Sequence, residues 1–132
     1  MVLSVSERTF TQEVLQSPVP VLVHFWAPWC GLCRNIEPLL LQFQTQWGHQ
    51  IKVVGINADE NFKLANSFRL TTLPTLILLE DGNPKRRWES LRGREELRAE
   101  LEKIQLFYSE NQLYSIARVN SSFTPEWERR LA

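Results

Sequence analysis

The chain has 132 residues, enough for one domain whose core needs neither disulfide staples nor a structural metal. Its 15 Lys and Arg balance 15 Asp and Glu, so its charge gives no reason to expect nucleic acid as a partner. No stretch approaches the roughly 20 apolar residues that span a bilayer, and the start, Met1-Val2-Leu3-Ser4-Val5-Ser6-Glu7, lacks the basic and apolar regions of a secretory signal. The expectation is a cytoplasmic monomer that engages neither nucleic acid nor membrane.

Leu3–Val5 reads as a short first strand. Ser6 is a candidate N-cap for a helix over about residues 7–16, with Phe10, Val14 and Leu15 on one face. Ser17-Pro18-Val19-Pro20 breaks it. Val21–Trp26 is a near-continuous apolar run, the pattern of a central strand covered on both faces. A helix follows from the first cysteine to about Trp47, with Ile36, Leu39, Leu40, Phe43 and Trp47 at spacings of three and four. Pro38 lies inside it and predicts a kink. Ile51–Asn57 is a strand, Glu60–Phe68 a short helix, and Thr75–Leu79 a strand. Asp81-Gly82 is a hairpin turn leading to a return strand at Lys85–Glu89. Arg94–Phe107 is a strong helix former, with Leu97, Leu101, Ile104 and one of Phe107 or Tyr108 inward.

The order β-α-β-α-β-α-β-β-α predicts an α/β fold: a central mixed, mostly parallel sheet, helices on both faces and an antiparallel hairpin at one edge. That domain spans residues 1–109. Residues 110–132 are more polar and less periodic and form a C-terminal extension. Thr124-Pro125-Glu126 carries helix-start signals, so Pro125–Leu131 is expected to form a turn or two docked by Trp127, with a frayed tail as the alternative. Lys85-Arg86-Arg87 with Arg92, Arg94 and Arg98 make a basic region. The acids at 89, 95, 96 and 100 favour a solvated hairpin and helix face, with an anionic partner as the alternative. Trp26, Trp47 and Trp88 are assigned to packing.

The chain has two cysteines, Cys30 and Cys33. In a reducing compartment a permanent staple is not expected, which leaves redox chemistry or half of a metal site. A zinc site needs two more ligands, and His24 and His49 do not form a His-x(3–5)-His pair. No metal and no bound cofactor are expected. An inert pair of buried thiols is a third reading, opposed by the position between a buried strand and a helix and by the flanking Trp26 and Trp29. Cys30 falls where unpaired N–H groups and the helix dipole stabilise an anion. Its thiolate therefore forms below the free pKa of about 8.5. Such a thiolate attacks a disulfide, and Cys33, one turn further in, is placed to release the substrate.

The segment Trp26-Ala27-Pro28-Trp29-Cys30-Gly31-Leu32-Cys33 is similar to the W-A-x-W-C-G-P-C of the thioredoxin family. Leu73-Pro74-Thr75 resembles its cis-proline loop, Asp81-Gly82 its hairpin turn and Glu37-Pro38 its helix-kinking proline. The resemblance runs from about Leu3 to Phe107. It implies a thiol–disulfide oxidoreductase that reduces or exchanges protein disulfides, with Cys30 attacking and Cys33 resolving. It also implies a cis Leu73–Pro74 bond facing the cysteines and a substrate groove from Trp29, Gly31, Leu32, Thr72, Leu73, Pro74 and Ser90. Backbone groups of such a loop pair with an extended peptide. The implied partners are disulfide-containing proteins and, as electron donor, a thioredoxin reductase that uses NADPH or ferredoxin.

Four positions depart from that pattern. His24 stands where the family usually has a buried Asp, and Gly55 where a facing lysine is common. Leu32 replaces proline in the active-site loop, and Glu89-Ser90 replaces a small apolar pair beside the groove. Neutral His24 is a candidate base for the resolving thiol; protonated, it would hold a thiolate electrostatically, against the cost of burial. An ordinary core histidine is the remaining reading. Leu32 restores an amide N–H near Cys30, which favours the reduced state and predicts a protein less reducing than ordinary thioredoxin at about −270 mV. These departures keep open a second reading, a partner-binding or redox-sensing module with weak general activity, docking through Trp29, Leu73-Pro74 and Glu89. An isomerase or oxidant is the third.

Overall fold

The computed structural model describes residues 2–120. The turn expected at Pro125–Leu131 and the docking of Trp127 lie outside them. Two units divide the chain, Met1–Arg98 and Ala99–Ala132.

The first unit holds a five-stranded sheet. Its strands are β1 (Leu3–Ser4), β2 (Val21–Trp26), β3 (Lys52–Asn57), β4 (Thr75–Glu80) and β5 (Asn83–Trp88), in the spatial order β1-β3-β2-β4-β5. β1, β3 and β2 are parallel; β4 runs antiparallel to β2 and β5 to β4. This is the expected mixed α/β architecture with the hairpin at one edge. Two further elements, α1 (Gly31–Trp47) and α2 (Phe62–Ser67), connect the central strands.

Side chains alternate between the faces of a strand. On β2, Val21, Val23 and Phe25 join Val54, Ile56, Ile77 and Leu79 in one buried layer. Phe10 and Val14 from the N-terminal segment cover it, and Leu64 and Phe68 pack against it from the α2 region. Phe68 meets Phe10 edge-on and Phe25 at a tilt, with ring centroids 5.8 and 5.5 Å apart. The opposite face carries Leu22, His24 and Trp26, in register with Val53, Gly55 and Asn57 of β3. Cys33, Ile36, Leu39, Leu40 and Phe43 form the buried side of α1. The helix runs through Pro38, which has no N–H to donate to the carbonyl four residues back.

Two segments differ from the sequence reading. The helix expected over residues 7–16 is only a π-helical turn, Thr11–Leu15, closed by Gln16 N–H to Thr11 O at 2.9 Å. The hydroxyls of Thr9 and Ser6 accept from the amides of Ser6 and Arg8 at 3.0 and 3.2 Å, holding the start in a turn. Such local bonds compete with helix, and the shortened element leaves Leu15 exposed. The last helix, α3, does not stop at Phe107 but spans Arg94–Asn120. No Gly or Pro interrupts the sequence between Gly93 and Pro125, so nothing local terminates it earlier. Leu97, Leu101 and Ile104 are buried as expected, while Phe107 is exposed and Tyr108 half-buried. Among the described residues no helix is long and apolar enough to cross a membrane.

Candidate active site

Parallel pairing brings the C-terminal ends of β2 and β3 side by side, with Trp26 opposite Asn57. The loops that leave those ends therefore adjoin, the usual place for a site on parallel strands. After β2, Ala27-Pro28-Trp29-Cys30 makes a tight turn, with Cys30 N–H donating to Ala27 O at 3.1 Å. Pro28 sits second in that turn, where its fixed φ suits the geometry.

Cys30 is the N-cap of α1, with extended backbone angles, φ −88° and ψ 102°. Its carbonyl accepts the first helical bond, from Arg34 N–H at 3.3 Å, and its Sγ accepts from Cys33 N–H at 3.1 Å. Sulfur thus takes the place of the oxygen that caps most helices. Cys30 and Cys33 are joined in a disulfide, with Cα atoms 5.3 Å apart, and both are buried. The amide that reaches Cys30 Sγ belongs to Cys33, so this bond does not depend on which residue stands at 32. The expectation that the Leu32 N–H favours the reduced state, and so makes the protein less reducing, concerns the thiolate, whereas this structure holds the disulfide.

Trp29 is 68% exposed, yet its indole N–H donates to Asp59 Oδ2 at 2.9 Å. Asp59 is held in turn: its amide donates to Asn57 Oδ1 at 2.9 Å, and Asn61 Nδ2 donates to Asn57 O at 2.9 Å. The sequence reading overlooked Asp59. Its signal is the polar run Asn57-Ala58-Asp59-Glu60-Asn61 directly after a strand parallel to the one that leads to Cys30.

The Leu73–Pro74 bond is cis, as the resemblance implies. Thr75 Oγ1 donates to Thr72 O at 2.7 Å across this loop. Thr72 is exposed, Leu73 half-buried and Pro74 buried. Gly31, Glu89 and Ser90 are exposed and Leu32 half-buried. Glu89 pairs with Arg87, whose guanidinium also donates to the carbonyls of Phe68 and Arg69. Its charge beside the expected groove is therefore partly neutralised from within the chain.

Beneath the disulfide lies a cavity of about 430 Å³, whose lining includes Cys33, His24, Trp26, Gly55, Arg34 and Glu37. His24 is only 4% exposed, and its Nε2 is buried without a hydrogen-bond partner. Burial lowers its pKa from 6.5 to about 4, so the imidazole is neutral near pH 7. Of the two charge states open to it on sequence, the structure keeps the neutral one. A Cβ added at Gly55 would lie 3.3 Å from Trp26 Nε1 and 3.8 Å from a Val2 methyl. The lack of a side chain there leaves space below the cysteines. Among the described residues no three His, Cys, Asp or Glu side chains cluster as metal ligands.

The family model described as thioredoxin matches residues 1–103. The chain is similar to thioredoxin 1 of Synechococcus elongatus, 47% identical over 79 residues, which cover 60% of this chain and 74% of that protein. It is similar to the thioredoxin of Mycobacterium tuberculosis, 36% identical over 102 residues, or 77% and 88% of the two chains. The thioredoxin of Pyropia yezoensis is 41% identical over 78 residues, 59% of this chain and 73% of its own.

Proposed function

Because the chain belongs to the thioredoxin family and is a thiol–disulfide oxidoreductase, we propose that Cys30 is its attacking thiol and Cys33 its resolving thiol in the reduction of protein disulfides. The observation that carries these roles is Cys30 at the N-cap of α1, its Sγ accepting from Cys33 N–H at 3.1 Å. After reduction, the same amide and the helix dipole hold a thiolate at Cys30. That thiolate attacks one sulfur of the substrate disulfide and expels the other as a thiolate, which takes a proton from water. Cys33 then loses its proton and attacks Cys30 Sγ. The substrate leaves with its second thiol, and the intramolecular disulfide of this structure forms. Neutral His24, lining the same cavity as Cys33, takes the proton from Cys33 Sγ.

The substrate strand lies along Trp29, Gly31 and Leu32 on one side and Thr72, Leu73, Pro74 and Ser90 on the other. The exposed indole of Trp29, steadied by Asp59, and the exposure of Thr72 beside the cis proline support this placement. A thioredoxin reductase returns the disulfide to the dithiol, and the setting is the cytoplasm, where that donor works. The protein acts as a monomer. Residues 1–109 form the catalytic domain, and residues 110–132 are an extension outside the chemistry.

Trapping separates the two sulfurs. Cys33→Ser is expected to retain substrate proteins through a mixed disulfide at Cys30 that dithiothreitol releases. Cys30→Ser is expected to retain none. Trapping by Cys30→Ser with none by Cys33→Ser would reverse the assigned roles.

A further inference from the structure

The His24 imidazole is the one buried side-chain nitrogen without a partner among the described residues, and it lines the cavity that also holds Cys33. A buried polar atom left without a partner is unfavourable relative to a paired one. A protein sulfur in a disulfide has no hydrogen to donate, whereas a thiol is a weak donor and a thiolate a strong acceptor. The side-chain-free Gly55, directly across the β2–β3 ladder from His24, leaves space in the same cavity. The other charged side chains on that cavity, Arg34 and Glu37, leave Nε2 unbonded in the oxidised state.

We propose that His24 is a redox-linked positioning residue: its ring nitrogen is unpaired while Cys30 and Cys33 are bonded and is satisfied by Cys33 Sγ once they are reduced. This inference rests on the redox cycle proposed above. Reduction delivers two electrons and two protons from an external dithiol, which becomes a disulfide. The Cys30–Cys33 bond breaks, and Cys33 keeps its proton as S–H, which points to His24 Nε2. The new bond exists only in the dithiol state, so it stabilises that state and makes the protein a weaker reductant. The orphaned nitrogen penalises the disulfide state in the same direction. His24 and Gly55 act together in this account: one supplies the bonding group and the other the space.

The test is the equilibrium between dithiol and disulfide in dithiothreitol redox buffers at pH 7, for the wild type, His24→Leu and His24→Gln. Loss of the bonding group in His24→Leu is expected to favour the disulfide about tenfold, which is about 30 mV toward a more reducing potential. His24→Gln, which keeps a donor and an acceptor, is expected to stay within about threefold of wild type. A change under threefold in His24→Leu, or one toward the dithiol, would overturn the proposal. The wild type provides a check that needs no variant: the ¹⁵N resonance of His24 Nε2 should move on reduction, and an unmoved resonance would also overturn it. A wild-type pair that never equilibrates with dithiothreitol would instead defeat the redox cycle itself, so the two failures are distinguishable.

Discussion

His24 enters the folded protein uncharged, because burial strips water from its ring and disfavours the imidazolium. Its pKa falls from 6.5 to about 4. Between those values the unfolded chain binds a proton that the folded chain refuses, so stability is lost as pH falls. Above pH 6.5 both states are neutral and the group has no effect. Below about 4 both are protonated and the loss is complete. A shift from 6.5 to about 4 corresponds to about 3 kcal/mol. In denaturant unfolding of the oxidised protein, the wild type should lose about 3 kcal/mol more between pH 7 and pH 4 than His24→Leu. Arg34 and Glu37, the charged neighbours on the cavity, are present in both proteins and drop out of the comparison. Equal losses would mean that His24 is solvated in the folded state.

Among the elements, those with a strong period were legible and those governed by side-chain hydrogen bonds were not. β2 is a run of apolar residues that only a central strand accommodates, and α1 has a clear apolar stripe; both were placed within a residue. The N-terminal helix failed because Ser6 and Thr9 bond their own turn, a competition that apolar spacing does not register. At the site, Cys30, Cys33 and the cis Leu73–Pro74 bond could be anticipated from motifs. Asp59 belongs to no motif; its signal is only the polar run after β3, and its contact with Trp29 depends on which loops the parallel ladder sets side by side. The β4–β5 hairpin makes a direct test of turn chemistry. Asp81 and Gly82 both have positive φ, 53° and 78°, as a two-residue hairpin turn requires. A Cβ at Gly82 meets nothing closer than 3.6 Å, so a substitution there is opposed by backbone strain and not by crowding. Gly82→Ala should therefore destabilise the fold by about 1–2 kcal/mol, read as a lower urea midpoint with an unchanged slope. The oxidised Cys30–Cys33 pair, at the other end of β4, should form as in wild type. A midpoint equal to wild type would show that the turn relaxes without cost.

For the molecule as a whole, one α/β unit, Met1–Arg98, contains the disulfide, the turn before Cys30, the loop holding Asp59 and the cis-proline segment. Of the four departures, His24 and Gly55 line the cavity below the disulfide, Leu32 lies in its loop, and Glu89-Ser90 lies beyond the hairpin. On the proposed function they act on the potential and on the surface offered to substrate, while Cys30 keeps its place at the helix N-cap. The account therefore predicts turnover, not only binding. The measurement is dithiothreitol-driven reduction of a disulfide-bonded protein by the wild type, with Cys30→Ser alongside. A rate well above the uncatalysed background in the wild type, falling to background in Cys30→Ser, is the predicted result. A wild-type rate equal to that of Cys30→Ser would contradict it and leave a partner-binding or redox-sensing module in its place.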